Sequence, residues 1–317
     1  MALAEELIVR GVAVHVIGNL GGLPWAEAQV AGRGLPLHPP PTDPAGLVAA
    51  ADRLGLDAMV VDSYLLPPAH SATVRASGRP VLAIVDGDVR GQAADIYVDQ
   101  NLDAELATPV LPAGAIRLAG LDYALLRAAV RRLRPACVPQ RREARTPRVV
   151  AFFGGTDPYG AAPILARLLI RTGAAFEAVM VGADERRRED LLALKPDRGQ
   201  RIDVIAPTDE LPHLLVDTDL AVSASGTSTW ELLCLGVPAA LIWVIDNQII
   251  GYERTVARGL AVGLGHVSVL DSSSRAAVVL RRLLTDPPVR AALAGRAWTA
   301  VDGRGAERVA DVLLARL

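Results

Sequence analysis

The feature that most limits how this chain folds is a repeated alternation: a short apolar run, a loop with Gly, Pro, Asn or Asp, then a stretch with helical spacing. The runs DAMVV (57–61), PVLAIVD (80–86) and DIYVD (95–99) lie in the first half. RVVAFF (148–153), FEAVMVG (176–182), RIDVIA (201–206), DLAVSA (219–224) and VPAALIWVI (237–245) follow in the second. Each is apolar at consecutive positions, so each strand needs cover on both faces, and intervening helices supply it as crossovers between parallel strands. Helical spacing over residues 1–11, 44–54, 161–171, 208–216, 227–235 and 248–258 fits that scheme, with further helices from Ser272 onward. The expected class is α/β, with doubly wound parallel sheets and ligand loops at the carboxyl ends of the strands.

A length of 317 residues exceeds one ordinary core and suits two domains of about 150 residues each. The arginine-rich, proline-interrupted stretch from Arg127 to Arg148 contains no aromatic residue and reads as a solvated hinge. Domains are therefore expected over 1–140 and 141–317, Rossmann-like and facing a cleft. The hydrophobic content is 51%, but the richest stretch, Leu232 to Ile245, holds Gly236 and Pro238. It is also shorter than the ~20 residues a spanning helix needs. Met1 runs straight into the helical pattern ALAEELIVRG without a secretory signal, so a cytoplasmic location without stable membrane insertion is expected. A net charge of −2 gives no general attraction to nucleic acid. Cys137 and Cys234 read as packing residues and His15, His38 and His213 as structural, while His70 and His266 have no nearby partner in sequence; none shows metal-ligand spacing, so no metal is expected.

Four segments carry possible chemistry. In SASGTSTWELLCLGVP (223–238) a buried strand leads to Gly226, where the missing β-carbon admits a ligand. The helix start at Thr227 and Ser228 then offers N–H groups and the positive end of a dipole, a fit for a diphosphate. Glu231, one turn in, suits the two hydroxyls of a ribose. Equally, Ser228-x-x-Glu231 has the spacing of a capping box, in which Glu231 returns to the helix start. The loop GGTDP (154–158) places Gly155 and Thr156 at a second strand end, with helix capping by Thr156 or Asp157 as the plainer role. Asp246, Asn247 and Gln248 suit sugar hydroxyls, or else cap the helix that follows. VVDSY (60–64) brings Asp62 and Tyr64 to a strand end in the first domain, Tyr64 to orient or protonate a leaving oxygen or simply to pack.

Taken in order, VVDSY (60–64), VDQNLDAE (98–105), GLDYALLR (120–127), FFGGTDP (152–158), SASGTSTWELLCLGVP (223–238) and DNQ (246–248) resemble the pseudaminic-acid pathway UDP-sugar hydrolases and the related spore coat polysaccharide biosynthesis proteins. The C-terminal half is more distantly similar to the N-acetylglucosaminyltransferase that forms lipid II. The resemblance implies a GT-B fold with UDP held mainly by the second domain and no cofactor beyond the UDP-sugar substrate. It assigns diphosphate and ribose to Ser225, Gly226, Thr227, Ser228 and Glu231, phosphate contact to Thr156, sugar contact to Asn247 and Gln248, and a place near the anomeric carbon to Tyr64. It implies cleavage of the sugar C1–O bond and release of UDP with water as acceptor. Members of that family open with a strand and a Gly-x-Gly-His-x-x-Arg loop, whereas this sequence begins at the helix that follows. The first domain is thus expected to lack its first strand, and roughly 25 to 35 further N-terminal residues are expected in the native protein. Two other functions fit the same motifs: a glycosyltransferase acting on a small-molecule or polysaccharide acceptor, and a non-catalytic nucleotide-sugar-binding protein.

Overall fold

A computed structural model describes all residues except 141–145, 155–156 and 183–184, and all side chains in the remainder except those of Pro24, Trp25, Glu185 and Arg186. The chain divides into two compact units, Met1–Ala128 with Gly303–Leu317, and Ala129–Asp302. The division differs from the one expected at 140/141 in two ways: the boundary falls after Ala128, and the last helix returns to the first unit.

In the first unit α1 (Ala2–Val9), β1 (Val16–Ile17), α2 (Pro24–Ala31), β2 (Leu37–His38), α3 (Pro44–Leu54), β3 (Met59–Val61), α4 (Pro68–Ala76), β4 (Val81–Ile84), β5 (Ile96–Asp99) and β6 (Ile116–Ala119) follow in order. Local chemistry sets these boundaries. Asp43 caps α3 by accepting a 2.7 Å bond from the Gly46 N–H, Pro44 occupies the first turn, and Gly55 ends the helix at φ +63°.

The strands pair in parallel as two sheets, β1-β2 and β3-β4-β5-β6. Alternate residues then face opposite layers. Leu82, Ile96, Val98 and Leu118 pack with Leu3 and Leu7 of α1, while Val81, Ala83 and Tyr97 pack with Leu47 of α3 and Val74 of α4. Ile17 of β1 and Val61 of β3 share that second cluster, so the two sheets lie on one core. Among the described residues β1 and β3 each pair along one edge only. The expected strand 12–17 is correspondingly reduced to Val16–Ile17, and Val60 of β3 is 38% exposed.

The second unit contains α5 (Ala128–Leu133), β7 (Arg148–Phe152), α6 (Ala161–Arg171), β8 (Phe176–Val181), α7 (Glu185–Leu192), β9 (Gln200–Ile205), α8 (Leu211–Val216), β10 (Leu220–Ala224), α9 (Ser228–Cys234), β11 (Ala239–Trp243), α10 (Ile249–Ala257), β12 (Val262–His266), α11 (Ser274–Thr285) and α12 (Pro287–Ala300). Its six strands form one parallel sheet in the order β12-β11-β10-β7-β8-β9. Leu220, Ala221, Val222 and Ser223 of β10 are all buried, as a strand paired on both edges and covered on both faces must be. The final helix, α13 (Gly305–Leu314), joins the first unit because Val309, Ala310 and Leu313 complete the Leu3/Leu7 cluster and Asp311 meets Arg10 at 2.5 Å. Amphipathic spacing alone does not say which of two cores such a helix joins.

Candidate functional site

The second unit has the strand order of a dinucleotide-binding sheet. Its first strand, β7, lies beside its fourth, β10, with Phe152 paired to Ser223, and the chain winds outward from there in both directions. Such a reversal opens a crevice outside the carboxyl ends of the two strands. The two Gly-containing segments singled out in the sequence follow β7 and β10, and strand pairing sets the carboxyl ends of these two strands side by side.

In the loop after β10, Ser225 is buried and donates its N–H to the Ile242 carbonyl at 2.8 Å. A β-carbon on Gly226 would meet no protein atom within 4 Å, so the space in front of it is open. The N–H groups of Thr229 and Trp230 bond back to the carbonyls of Gly226 and Thr227 at 2.9 and 3.1 Å, and Gly226 N–H donates to Thr229 Oγ1 at 3.3 Å. The N–H groups of Thr227 and Ser228 have no partner among the described residues. The helix itself begins at Ser228 with Thr227 as N-cap, and the Thr227 side chain makes no capping bond. A capping box places its acidic residue three positions after the cap; that position is Trp230, and Glu231 is one further on. Ser228 and Glu231 therefore do not form the capping box that their spacing permitted.

In the loop after β7 the plainer role holds for Asp157. Its buried carboxylate accepts the N–H groups of Ala161 and Ala162, both at 2.9 Å, and so caps α6. Gly155 and Thr156 lie outside the described residues. Beyond β11, Asp246 and Asn247 are exposed and neither caps a helix: the N-caps of the short 3-10 turn and of α10 are Ile245 and Gln248. Gln248 uses its side-chain oxygen to accept the Val244 N–H at 2.9 Å, which leaves its amide NH₂ to donate elsewhere.

In the first unit, the carboxyl ends of β3, β4 and β5 bring together side chains that the sequence did not connect. The Tyr64 hydroxyl donates to Asp86 Oδ2 at 2.7 Å, and Asn101 Nδ2 donates to Asp86 Oδ1 at 2.6 Å. Asn101 is itself held by the buried Asp99, through its side-chain amide at 2.9 Å and its backbone N–H at 3.2 Å. Asp99 also accepts the Gly87 N–H at 3.1 Å. The Arg90 guanidinium lies 4.5 Å above the Tyr64 ring centre. The hydrogen bond to Asp86, with partial burial, pushes the Tyr64 phenol up to about 12. Asp62 is exposed at the end of β3 and makes no hydrogen bond among the described residues. The carboxylate that meets Tyr64 is Asp86, 22 residues away in sequence, a pairing visible only once β3 and β4 lie in register.

Other side chains behave differently from their sequence reading. Arg134, placed in the solvated hinge, donates to the carbonyls of Cys234, Trp298 and Val301 at 2.6, 2.9 and 2.5 Å and stacks on the Trp298 ring at 4.5 Å. It therefore fastens α5 to the ends of α9 and α12. His15 and His38, read as separate structural residues, hydrogen-bond to one another at 2.9 Å across β1 and β2. Cys234 is buried, which pushes its thiol up, and Cys137 is exposed. Among the described residues, no group of three or more His, Cys, Asp or Glu is placed to hold a metal ion, and no helix is long and apolar enough to cross a membrane. A cavity of about 450 Å³ opens at the amino-terminal edge of β4, opposite the candidate site, with Arg75 and Arg79 of its lining engaged by Asp95 and Asp52.

These sheets and their strand-end loops define an α/β, GT-B-like fold, and comparison with known proteins agrees. Over 99% of its length the chain superposes on 94% of MurG from Acinetobacter baumannii with a TM-score of 0.72 at 13% identity. It superposes on 93% of the UDP co-structure of Staphylococcus aureus MnaA with a TM-score of 0.66 at 11% identity, and on 95% of the spinosyn rhamnosyltransferase SpnG with a TM-score of 0.64 at 17% identity. By sequence, it is similar to the spore coat polysaccharide biosynthesis protein SpsG of Bacillus subtilis (strain 168), 23% identical over 174 residues that make up 52% of this chain and 49% of that protein. The match thus spans about half the length of that relative. No protein-family profile matches the chain.

Proposed function

We propose that this protein is a nucleotide-sugar enzyme that holds UDP at the β7/β10 reversal of its second unit and cleaves the sugar C1–O bond, with water as acceptor. The observation that carries the reading is the pairing of those two strands, which sets the carboxyl end of β7 beside the end of β10 that leads into Ser225–Ser228, at the crevice of a doubly wound sheet. The unpartnered N–H groups of Thr227 and Ser228 and the open space over Gly226 suit a diphosphate. Under this proposal Ser225, Gly226, Thr227 and Ser228, with Gly155 and Thr156, bind the phosphates. Glu231 accepts the ribose hydroxyls, and Asp246, Asn247 and Gln248 bind the sugar. Tyr64 and Asp62 belong to the chemistry in the first unit. Hydrogen bonds from backbone N–H groups to the β-phosphate stabilise the charge that develops as UDP departs, so no metal is assigned. The UDP in the MnaA co-structure and the polysaccharide role in the name of SpsG support the choice of ligand and setting.

Incubation with a UDP-sugar in H₂¹⁸O tests the reaction. Label in the free sugar, with unlabelled UDP, is the expected result; label in the phosphate would mean P–O cleavage and would contradict the proposal. Transfer to a hydroxyl acceptor is the second reading, favoured by the likeness to the rhamnosyltransferase SpnG. It predicts UDP release that depends on an added acceptor rather than on water.

A further inference from the structure

We propose that Trp243 and His266 form the subsite for the pyranose ring of the nucleotide sugar, donating hydrogen bonds from Trp243 Nε1 and His266 Nε2 to sugar oxygens and so deciding which sugar is accepted. The inference rests on the UDP site proposed above, lies wholly within the second unit, and adds two residues that no sequence motif marked.

The pair is built by an irregularity in β12. Ala240 of β11 faces Val262 and Leu241 faces Gly263, but Ile242 then faces Gly265 and Trp243 faces His266, so Leu264 is an extra residue. A bulge of this kind re-aims the side chains that follow it. Without it Trp243 would face Gly265; with it the Trp243 and His266 rings meet, 4.2 Å between centres and tilted by 42°. The bulge is held from α10, where the Tyr252 hydroxyl accepts the Gly265 N–H at 2.8 Å. Gly265 has φ +101°, and a β-carbon on Gly263 would collide with the Tyr252 oxygen, so this arrangement requires both glycines.

Both rings keep a free donor. His266 Nδ1 accepts the Ser268 N–H at 3.4 Å and lies 2.6 Å from Ser268 Oγ. A backbone N–H can only donate, so the neutral ring carries its proton on Nε2. Neither His266 Nε2 nor Trp243 Nε1 has a hydrogen-bond partner among the described residues, and both residues are partly open to solvent. Two donors beside an indole match a pyranose, whose oxygens accept hydrogen bonds and whose C–H face packs on aromatic rings.

Their place on the sheet ties them to the UDP site. The chain passes from β7 through α6 to β8, and from β10 through α9 to β11, in opposite directions across the sheet. Right-handed crossovers therefore put α6 on one face and α9 and α10 on the other. Ile242 packs with Leu165 and Leu169 of α6, so alternation turns Trp243, with His266 opposite it, to the face of α9. The start of α9 and the ring pair thus share one face at the carboxyl end of one sheet. They are separated by about one and a half strand spacings, roughly 7 Å, the reach of a pyranose joined to a phosphate at β10. Gln248 lies between them: its side chain accepts the Val244 N–H, which alternation turns toward β10, as the Ile242 carbonyl is turned to accept Ser225.

The test is binding to the full chain, with UDP-glucose, UDP-galactose and UDP-N-acetylglucosamine as probes against UDP alone. Indole ¹⁵N spectra give one Nε1–H signal for each of the four tryptophans, and the signal missing from Trp243→Phe is that of Trp243. Saturation with at least one sugar nucleotide is expected to shift that signal, and saturation with UDP to leave it in place. By calorimetry, His266→Phe and Trp243→Phe, which keep a ring and lose the donor, are each expected to bind that sugar nucleotide about three- to tenfold more weakly, with UDP affinity within about twofold of the original and native circular dichroism. A Trp243 signal that none of the three sugar nucleotides moves, in a protein that binds UDP, would overturn the subsite and leave the UDP site standing. Unchanged sugar-nucleotide affinity in both variants would do the same. Absence of UDP binding to the unaltered chain would overturn both.

Discussion

At the scale of single residues, position within an element decides between roles that composition leaves open. Glu231 is compatible with a capping box and with a ribose contact as long as the helix start is unknown. Once α9 begins at Ser228 with Thr227 as its cap, Glu231 lies one residue past the capping position. For Asp157 the contacts are direct: its two bonds to the start of α6 make it a cap. Tyr64 was legible as a strand-end residue, but its partner was not, because Asp86 reaches it only through the pairing of Val61 with Ala83.

That partnership has a titration signature. With the phenol pushed up to about 12 by Asp86, the folded protein favours neutral Tyr64 relative to an unfolded chain, where tyrosine ionises near 10. The associated stability is present below about pH 10 and is lost as pH rises through about 12. Ultraviolet difference titration of the protein against Tyr64→Phe should therefore place Tyr64 well above the ordinary tyrosine range. In Asp86→Asn, which removes the accepting carboxylate, the transition should move down toward about 10. An unchanged midpoint would show that Asp86 does not hold the phenol in solution.

At the scale of elements, the parallel sheets were legible because buried strands must be apolar throughout. RVVAFF and DLAVSA could hardly be anything else, and β7 and β10 fall within one residue of those runs. The weaker elements were not legible in the same way. VAVHVI (12–17) has the composition of a central strand, yet only Val16 and Ile17 pair. Pairing is a property of two strands, and β1 has a neighbour on one side alone. In β1 the N–H groups of Val16 and Gly18 bond to the carbonyls of Pro36 and His38, so alternation turns the Ile17 N–H to the open edge. Likewise the Met59 N–H bonds to Pro80, which turns the Val60 N–H outward. Hydrogen exchange should find the Ile17 and Val60 amides far less protected than those of Ala221 and Val222 in doubly paired β10. Equal protection would mean that another strand covers these edges in solution.

At the scale of the whole molecule, two units each built on parallel sheet were legible from length and from the repeated strand–helix pattern. The return of α13 to the first unit was not, since its Val309, Ala310 and Leu313 face would suit either core. The fold bears on the proposed function through one topological fact: the reversal of strand order between β7 and β10 opens a crevice outside the carboxyl ends of those strands in the second unit's sheet. The central claim is that this crevice binds UDP. Calorimetric titration of UDP into the full chain and into Glu231→Ala tests it most directly. Binding to the unaltered chain, weakened about tenfold or more (about 1.4 kcal/mol) in Glu231→Ala without loss of fold, is the predicted result. No heat of binding with the unaltered chain, or equal affinity in both proteins, would contradict the assignment of that crevice and of Glu231 within it.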